Sequence, residues 1–359
     1  MKDHRNIFKT VLFISHASVT AETFIKSWLV LSIVILTVPV FQGCSKTAHP
    51  QDSDFTEGIH KSSVKIAVHH PDGIGAHTLD ALIFNDDLLQ RLDCYQQMEW
   101  SGQEDIMIGS CSGRKILLLC ANLNKGRDFW KQYNSFTKVK ELKVDLEDES
   151  TDYPVMVSST HICASDNTPV SLERLSSEVV LNSIRCDFSG RPYAGEQITD
   201  ARVYLTNINA TCSVLPSDED CMERIINHKG LVDQDIASFK DSKLICRKLG
   251  DIGPEGIQTS SRFMCYPNTV PEETIGTPFT RLVVEGRIMG ETWYWPIDIN
   301  RGIGAIRPEG IGRNRRYVFD ITIRSKGTKD PDTPVTREML ETVFVVEKWK
   351  EKEEYSVVF

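Results

Sequence analysis

Few residues of this chain could do chemistry, and their spacing argues against most of it. His69 and His70, with Asp72 and His77 close behind, are the residue types that ligate a metal ion. His69 falls in a strand-like stretch, where successive side chains point to opposite faces. The pair therefore cannot share one ion, and the cluster reads as a solvated loop. The stretch Trp293–Pro296, "WYWP", offers flat apolar surface on which a sugar could stack. Period two places Trp293 and Trp295 with Ile297 and Ile299 on a core face, which leaves Tyr294 as the outward candidate for glycan contact. The chain holds ten cysteines but no C-x-x-C pair, so neither a zinc site nor a dithiol redox motif has support. Cys111 and Cys120 are nine residues apart, as are Cys212 and Cys221, and either pair could close a small disulfide loop. The preferred reading is that most cysteines, Cys120 and Cys186 among them, are small buried apolar groups in strands. There is no G-x-S-x-G elbow, no H-E-x-x-H, no P-loop and no G-x-G-x-x-G opening a helix. The expectation is a protein that is not an enzyme and uses no cofactor or metal.

One thiol stands apart. An uncharged run, "WLVLSIVILTVPVFQGC", begins at Trp28 after Lys26 and reaches Gly43 and Cys44. Its roughly 16 apolar or small residues fall short of the ~20 that span a bilayer as a helix. Pro39 further disfavours a continuous spanning helix. A positive residue, an apolar core and a small residue before a cut describe a secretory signal. The cysteine directly after Gly43 makes it resemble a bacterial lipoprotein signal, although Phe41 and Gln42 depart from the usual lipobox. The expectation is cleavage after Gly43 and lipid attachment to Cys44, with the outer membrane reached through that lipid.

Cutting there leaves 316 residues and removes Lys2, Arg5, Lys9 and Lys26 with Asp3 and Glu22, so the formal charge falls from −9 to about −11. That balance argues against nucleic acid and anionic membrane surface as partners, because both reward basic patches.

The elements that would position any site are strands. Residues 45–62 are polar and unpatterned and read as a tether. "SVKIAVH" then alternates, with Val64, Ile66 and Val68 on one face and Lys65, Ala67 and His69 on the other, as in a half-buried strand. "HPDGIGAH" supplies turn residues. "TLDALIF" is a second strand, and "RKILLLCAN" from Arg114 reads as a fully buried central one. Phe136, Val139, Leu142 and Leu146 follow the possible N-caps Asn134 and Ser135 at helical spacing, which predicts one helix. From residue 170 a second run of strands begins, with "SSEVVLNSIRCDF" and "ARVYLTNIN". Residues 216–240 read as one or two short polar helices broken at Gly230. A hairpin turning near Met289-Gly290-Glu291 follows. "RRYVFDITI" sets Tyr317, Phe319, Ile321 and Ile323 on one face, and "ETVFVVEKW" and "EYSVVF" finish the chain. Short strands with turn signals every 8–12 residues predict a β-sandwich built twice. The expected organisation is a signal over 1–43, a tether over 44–62, and sandwiches over 63–169 and 170–359.

The last third carries a family resemblance. A strand ending at Trp293–Pro296 is followed by "RNRRY" at Arg313–Tyr317, by "GTKDP" at Gly327–Pro331, and by a valine-rich strand ending at Trp349. In order and spacing this resembles the fimbrillins, lipoprotein-derived pilus subunits of Bacteroides-like bacteria. The resemblance implies an all-β protein of two tandem transthyretin-like sandwiches, with a short helix in the first, and no catalysis. It implies other fimbrial subunits as partners and a place on the cell surface. The alternative to a fimbrial subunit is a surface adhesin lipoprotein that acts as a monomer and binds host or bacterial glycans through Tyr294 and neighbouring loops. In the family's stalk subunits an arginine-directed protease cuts the loop after the first strand, and a neighbour's strand fills the groove left behind. Carried onto this chain, the exchanged strand holds Val64, Ile66 and Val68. Here the sequence departs from the pattern, because no Lys or Arg occurs from Ile66 to Gln90. An uncut, lipid-retaining subunit corresponds to the family's anchor at the pilus base.

Overall fold

The computed structural model describes residues 61–69, 77–101, 105–163, 168–216, 222–301, 309–336 and 339–348. Gly43, Cys44 and the tail Tyr355–Phe359 lie outside the described residues. No helix among the described residues is long and apolar enough to cross a membrane.

Five strands come first: β1 (Lys61–His69), β2 (Thr78–Asn85), β3 (Leu92–Glu99), β4 (Asp105–Cys111) and β5 (Arg114–Ala121). Two one-turn helices follow, α1 (Arg127–Trp130) and α2 (Phe136–Val139), then β6 (Lys143–Asp145), β7 (Met156–Cys163), β8 (Thr168–Ser171) and β9 (Glu173–Arg174). The next stretch holds β10 (Ser177–Cys186), β11 (Ile198–Thr206), β12 (Ile208–Asn209), β13 (Thr211–Ser213), β14 (Ile225–Ile226) and α3 (Asp233–Ser238). The last strands are β15 (Cys246–Ile252), β16 (Ile257–Cys265), β17 (Arg281–Ile288), β18 (Glu291–Asp298), β19 (Arg315–Ile323) and β20 (Leu340–Lys348).

A three-stranded sheet of order β4-β1-β8 faces a five-stranded sheet of order β3-β2-β5-β7-β9. The strand pattern of β2 and β5 explains the arrangement. Leu79, Ala81 and Ile83 of β2, with Leu117, Leu119 and Ala121 of β5, share one core with Ile66, Ile108 and Val170 of the smaller sheet. Their alternate neighbours, Leu82, Phe84, Ile116, Leu118 and Cys120, point the other way, to Trp130 of α1 and Val139 of α2. Apolar cover on both faces is what makes "ILLLCA", Ile116 to Ala121, an unbroken hydrophobic run. The one acid on this inner face, Asp80, is fully buried and accepts from Tyr95 Oη at 2.8 Å and Gln97 Nε2 at 3.0 Å.

The single helix expected from Phe136 to Leu146 is shorter in the structure. Only Phe136–Val139 is helical; β6 and a 3₁₀ turn (Leu146–Asp148) follow. Leu142, Val144 and Leu146 are all buried, which is a period of two laid over the helical spacing. Tertiary pairing decides between the readings: β6 runs antiparallel to β13, with Thr211, Cys212 and Ser213 opposite Asp145, Val144 and Lys143. Leu146 N–H donates to Ala210 O at 2.9 Å, and Val214 N–H to Leu142 O at 2.8 Å. Arg224 clasps the same seam by donating to Glu147 Oε1 at 2.7 Å.

Beyond Ser177 a sheet of order β16-β10-β19-β20 packs on one of order β15-β11-β17-β18. Val179, Leu181 and Ile184 of β10 and Tyr317, Phe319 and Ile321 of β19 meet Val203, Leu205, Leu282, Val284 and Trp295 in the second core. A bulge between Leu181 and Ser183 restores Ile184 to that core face. The β17–β18 hairpin turns at Met289 and Gly290, with φ of 55° and 83°. Two positive φ values in a two-residue loop are the type I′ geometry that matches strand twist. Of the polar helices expected over 216–240, α3 is the one found among the described residues. None of the described cysteines forms a disulfide, and Cys120 and Cys186 are buried in β5 and β10.

Candidate functional site

The site to weigh is the first strand and the seat it fills. β1 is the middle strand of its sheet, not an edge. On one side it runs antiparallel to β4, from Lys61 opposite Cys111 to Ala67 opposite Asp105. On the other it runs parallel to β8, from Ile66 opposite Thr168 to His69 opposite Ser171. Alternation then fixes each side chain. Ile66 and Val68 are fully buried, Ala67 is half-buried, and Lys65 faces solvent, 2.9 Å from Asp105. Val64 pairs in register with Ile108; its side chain lies outside the described residues.

Ile66 and Val68 close the core formed by Ile106, Ile108, Val170 and the inner face of β2 and β5. Fully burying two such side chains contributes roughly 3–6 kcal/mol, an upper figure because unfolded chains already bury some apolar surface. Without β1, β4 and β8 would lose their common partner, and two rows of main-chain groups would stand open.

A polar clasp marks one end of the seat. Lys115, 3% exposed, donates to Asn85 Oδ1 at 2.6 Å and pairs with Asp93 at 3.0 Å. Asp93 occupies the bulge of β3 and also accepts from Cys111 N–H at 3.0 Å and Ser110 Oγ at 3.3 Å. Burial pushes its carboxyl up, but the Cys111 and Lys115 hydrogen bonds and the Lys115 charge outweigh that and hold it below the usual range. The clasp thus ties the end of β4 to the five-stranded sheet. Sequence reasoning did not find it, and a lone Lys and Asp separated by a strand give no local signal. It also missed β8, whose parallel pairing joins residues about a hundred positions apart.

The aromatic stretch near the second core is positioned differently. Trp295 is fully buried and donates Nε1–H to Ser325 O at 3.0 Å, as its core assignment requires. Trp293 is half-buried, and its ring is covered by Lys329 Nζ at 3.5 Å and Lys326 Nζ at 5.2 Å from the centroid. Tyr294 is half-buried too, and its main chain exchanges hydrogen bonds with Thr328 at 3.0 and 2.8 Å. The "KGTKDP" loop therefore lies along the outer edge of β18. Buried Arg281 anchors it, pairing with Glu273, Asp298 and, on that loop, Asp332 at 2.5–2.7 Å. Among the described residues no group of three or more metal-ligating side chains is assembled.

No protein-family model and no curated protein matches the sequence. Solved structures do match. A protein of Bacteroides eggerthii DSM 20697, described as a cell adhesion protein, superposes with a TM-score of 0.62 at 15% identity, covering 80% of this chain and 96% of that one. A fimbrilin of Porphyromonas gingivalis W83 gives 0.60 at 14% identity, covering 81% and 97%. A Parabacteroides distasonis ATCC 8503 protein, also described as a cell adhesion protein, gives 0.57 at 16%, covering 80% and 100%. The chain has the fold of the Bacteroidales fimbrilins over about four-fifths of its length.

Proposed function

We propose that this protein is a structural subunit of a cell-surface fimbria, a lipid-tethered anchor or accessory subunit built as two tandem transthyretin-like sandwiches. Its associations are with other fimbrial subunits, through β-strand complementation, and with the outer membrane, through lipid on Cys44. The fold likeness to a fimbrilin supports the class. The observation that carries the anchor role is the seat of β1. A central strand with two fully buried side chains is part of the subunit's own core. The sequence from Ile66 to Gln90 offers a basic-directed protease no Lys or Arg, and Lys65 lies inside the ladder, where an extended substrate cannot enter a protease cleft. A subunit that keeps its strand and its lipid terminates a fibre.

N-terminal sequencing and mass spectrometry of the protein from assembled fibres test this. The expected N-terminus is an acylated Cys44. Two or more acyl chains anchor stably, at ~0.8 kcal/mol per buried CH₂, whereas one does not. An N-terminus between His69 and Thr78 would place the protein among the polymerising subunits instead.

A further inference from the structure

The end of the first group of sheets at which β1 begins carries two bare leucines. Leu88 and Leu89 lie in the loop between β2 and β3; Leu88 is fully exposed and Leu89 is 62% exposed. One exposed leucine is ordinary on a protein surface. This pair is held out by its loop. Asp87 Oδ1 accepts from Leu89 N–H at 2.9 Å and from Gln90 N–H at 2.7 Å, closing a tight turn with Gln90 at a φ of 46°. Both legs are pinned. Asn85 N–H donates to Arg91 O at 2.9 Å, Asp86 N–H to Arg114 O at 3.2 Å, and Phe136 N–H to Gln90 O at 2.9 Å. A loop fixed in this way gives up little freedom when its apolar tip meets a partner.

Its place in the fold says what that partner is. β1 starts at Lys61, opposite Cys111, the last residue of β4. The loop lies at the same end, because Asn85 stands opposite Lys115 near the start of β5. Asp93, just past the loop on β3, joins the two by accepting from Cys111 N–H at 3.0 Å. The chain therefore enters the fold beside the leucines. Residues 45–60 separate Lys61 from Cys44, a reach of at most ~60 Å at ~3.5 Å per residue. On the reading of Cys44 as lipid-bearing, on which this inference rests, a bilayer is held within that distance of the leucine end, at high effective concentration. The charges around the tip fit a bilayer without net charge. Arg91 and Arg114 are exposed beside it, and Asp86, 3.0 Å from Arg114, and Asp87 balance them. Guanidinium suits the phosphate of a zwitterionic headgroup.

We propose that Leu88 and Leu89 dip into the zwitterionic phospholipid surface that carries the lipid on Cys44, and so set which end of the protein faces the membrane. Interfacial binding scales with the apolar area buried. Two leucines bury too little to hold the protein alone; they orient what the acyl chains retain.

The test uses the full chain, isolated from its own membranes and reconstituted into vesicles of phosphatidylethanolamine and phosphatidylcholine. An N-terminal peptide without acyl mass on Cys44 refutes the tether, and this docking with it. On the acylated chain, a photo-cross-linking benzoylphenylalanine replaces Leu88 or, as control, Met289, which is exposed at the tip of the β17–β18 hairpin. Mass spectrometry identifies the adducts. A roughly tenfold excess of phospholipid adduct at position 88 over position 289 is expected. Leu89→Asp, at an exposed position outside the core, should cut the yield at position 88 several-fold. Equal lipid yields at the two positions, adducts to a second copy of the chain in place of lipid, or a yield unchanged by Leu89→Asp overturns the assignment while leaving the tether intact.

Discussion

Replacing Ile66 with alanine tests whether β1 belongs to the core of its own subunit. Ile66 is fully buried beneath Ile106, Ile108, Val170 and the five-stranded sheet, with β4 on one side and β8 on the other. Both flanking strands are fixed by ladders, so the site can collapse only partly. Ile→Ala at such positions costs ~2–5 kcal/mol, from lost transfer energy plus the cavity left behind. A loss of about 3 kcal/mol corresponds to a fall in melting temperature of about 6–12 °C for chains of this size class. The neighbouring Lys65→Ala is the internal control. Its pair with Asp105 is half-exposed at both ends, and such pairs contribute ~0–1 kcal/mol. Both variants, made in the full chain, are compared by thermal melting followed by circular dichroism. Equal melting temperatures for wild type and Ile66→Ala would refute the reasoning, because a strand held only loosely in its seat has no cavity to lose.

Three further outcomes follow from the geometry. Asp93→Asn should cost about 3 kcal/mol at neutral pH, since it leaves the buried Lys115 without its anion. The Asp93 carboxyl is lowered in the folded state, so its contribution is present above the ordinary value of 3.8 and lost as pH falls through the lower folded value. Urea midpoints of wild type and variant should therefore converge towards pH 3 and separate at pH 7; a gap independent of pH contradicts this. Gly327→Ala should lower the melting temperature by several degrees and loosen the loop over β18, because its Cβ would lie 2.0 Å from Tyr294 O; protection of the Tyr294 amide from hydrogen exchange reads the loosening directly. Non-reducing peptide mapping should find no bridge among Cys94, Cys111, Cys120, Cys163, Cys186, Cys212, Cys246 and Cys265.

What was legible in the sequence was what alternation controls. The burial of Ile66 and Val68, the two-sided burial of β5, the core row Tyr317–Ile323 and the turn at Met289-Gly290 all follow from local period and turn chemistry. The stretch from Phe136 to Leu146 shows the limit. Its apolar residues fit both periods, and a pairing with β13, some seventy residues later, selects the strand. The candidate seat was half legible. The face of β1 could be read, but its parallel neighbour β8 and the Asp93–Lys115 clasp depend on residues brought together only by the finished topology.

The seam between β6 and β13 also ties the two groups of sheets to each other. It staples residues 143–145, which follow the helices over the first core, to residues 211–213, which follow β11 of the second. The chain between them holds β7, β8, β9, β10 and β11, each paired with strands elsewhere, so parting the three-residue ladder frees no length of chain by itself. Together with the Arg224–Glu147 contact, the seam works as a brace: it resists hinge motion between the sheets, and extension under load would come only as the sheets themselves unravel.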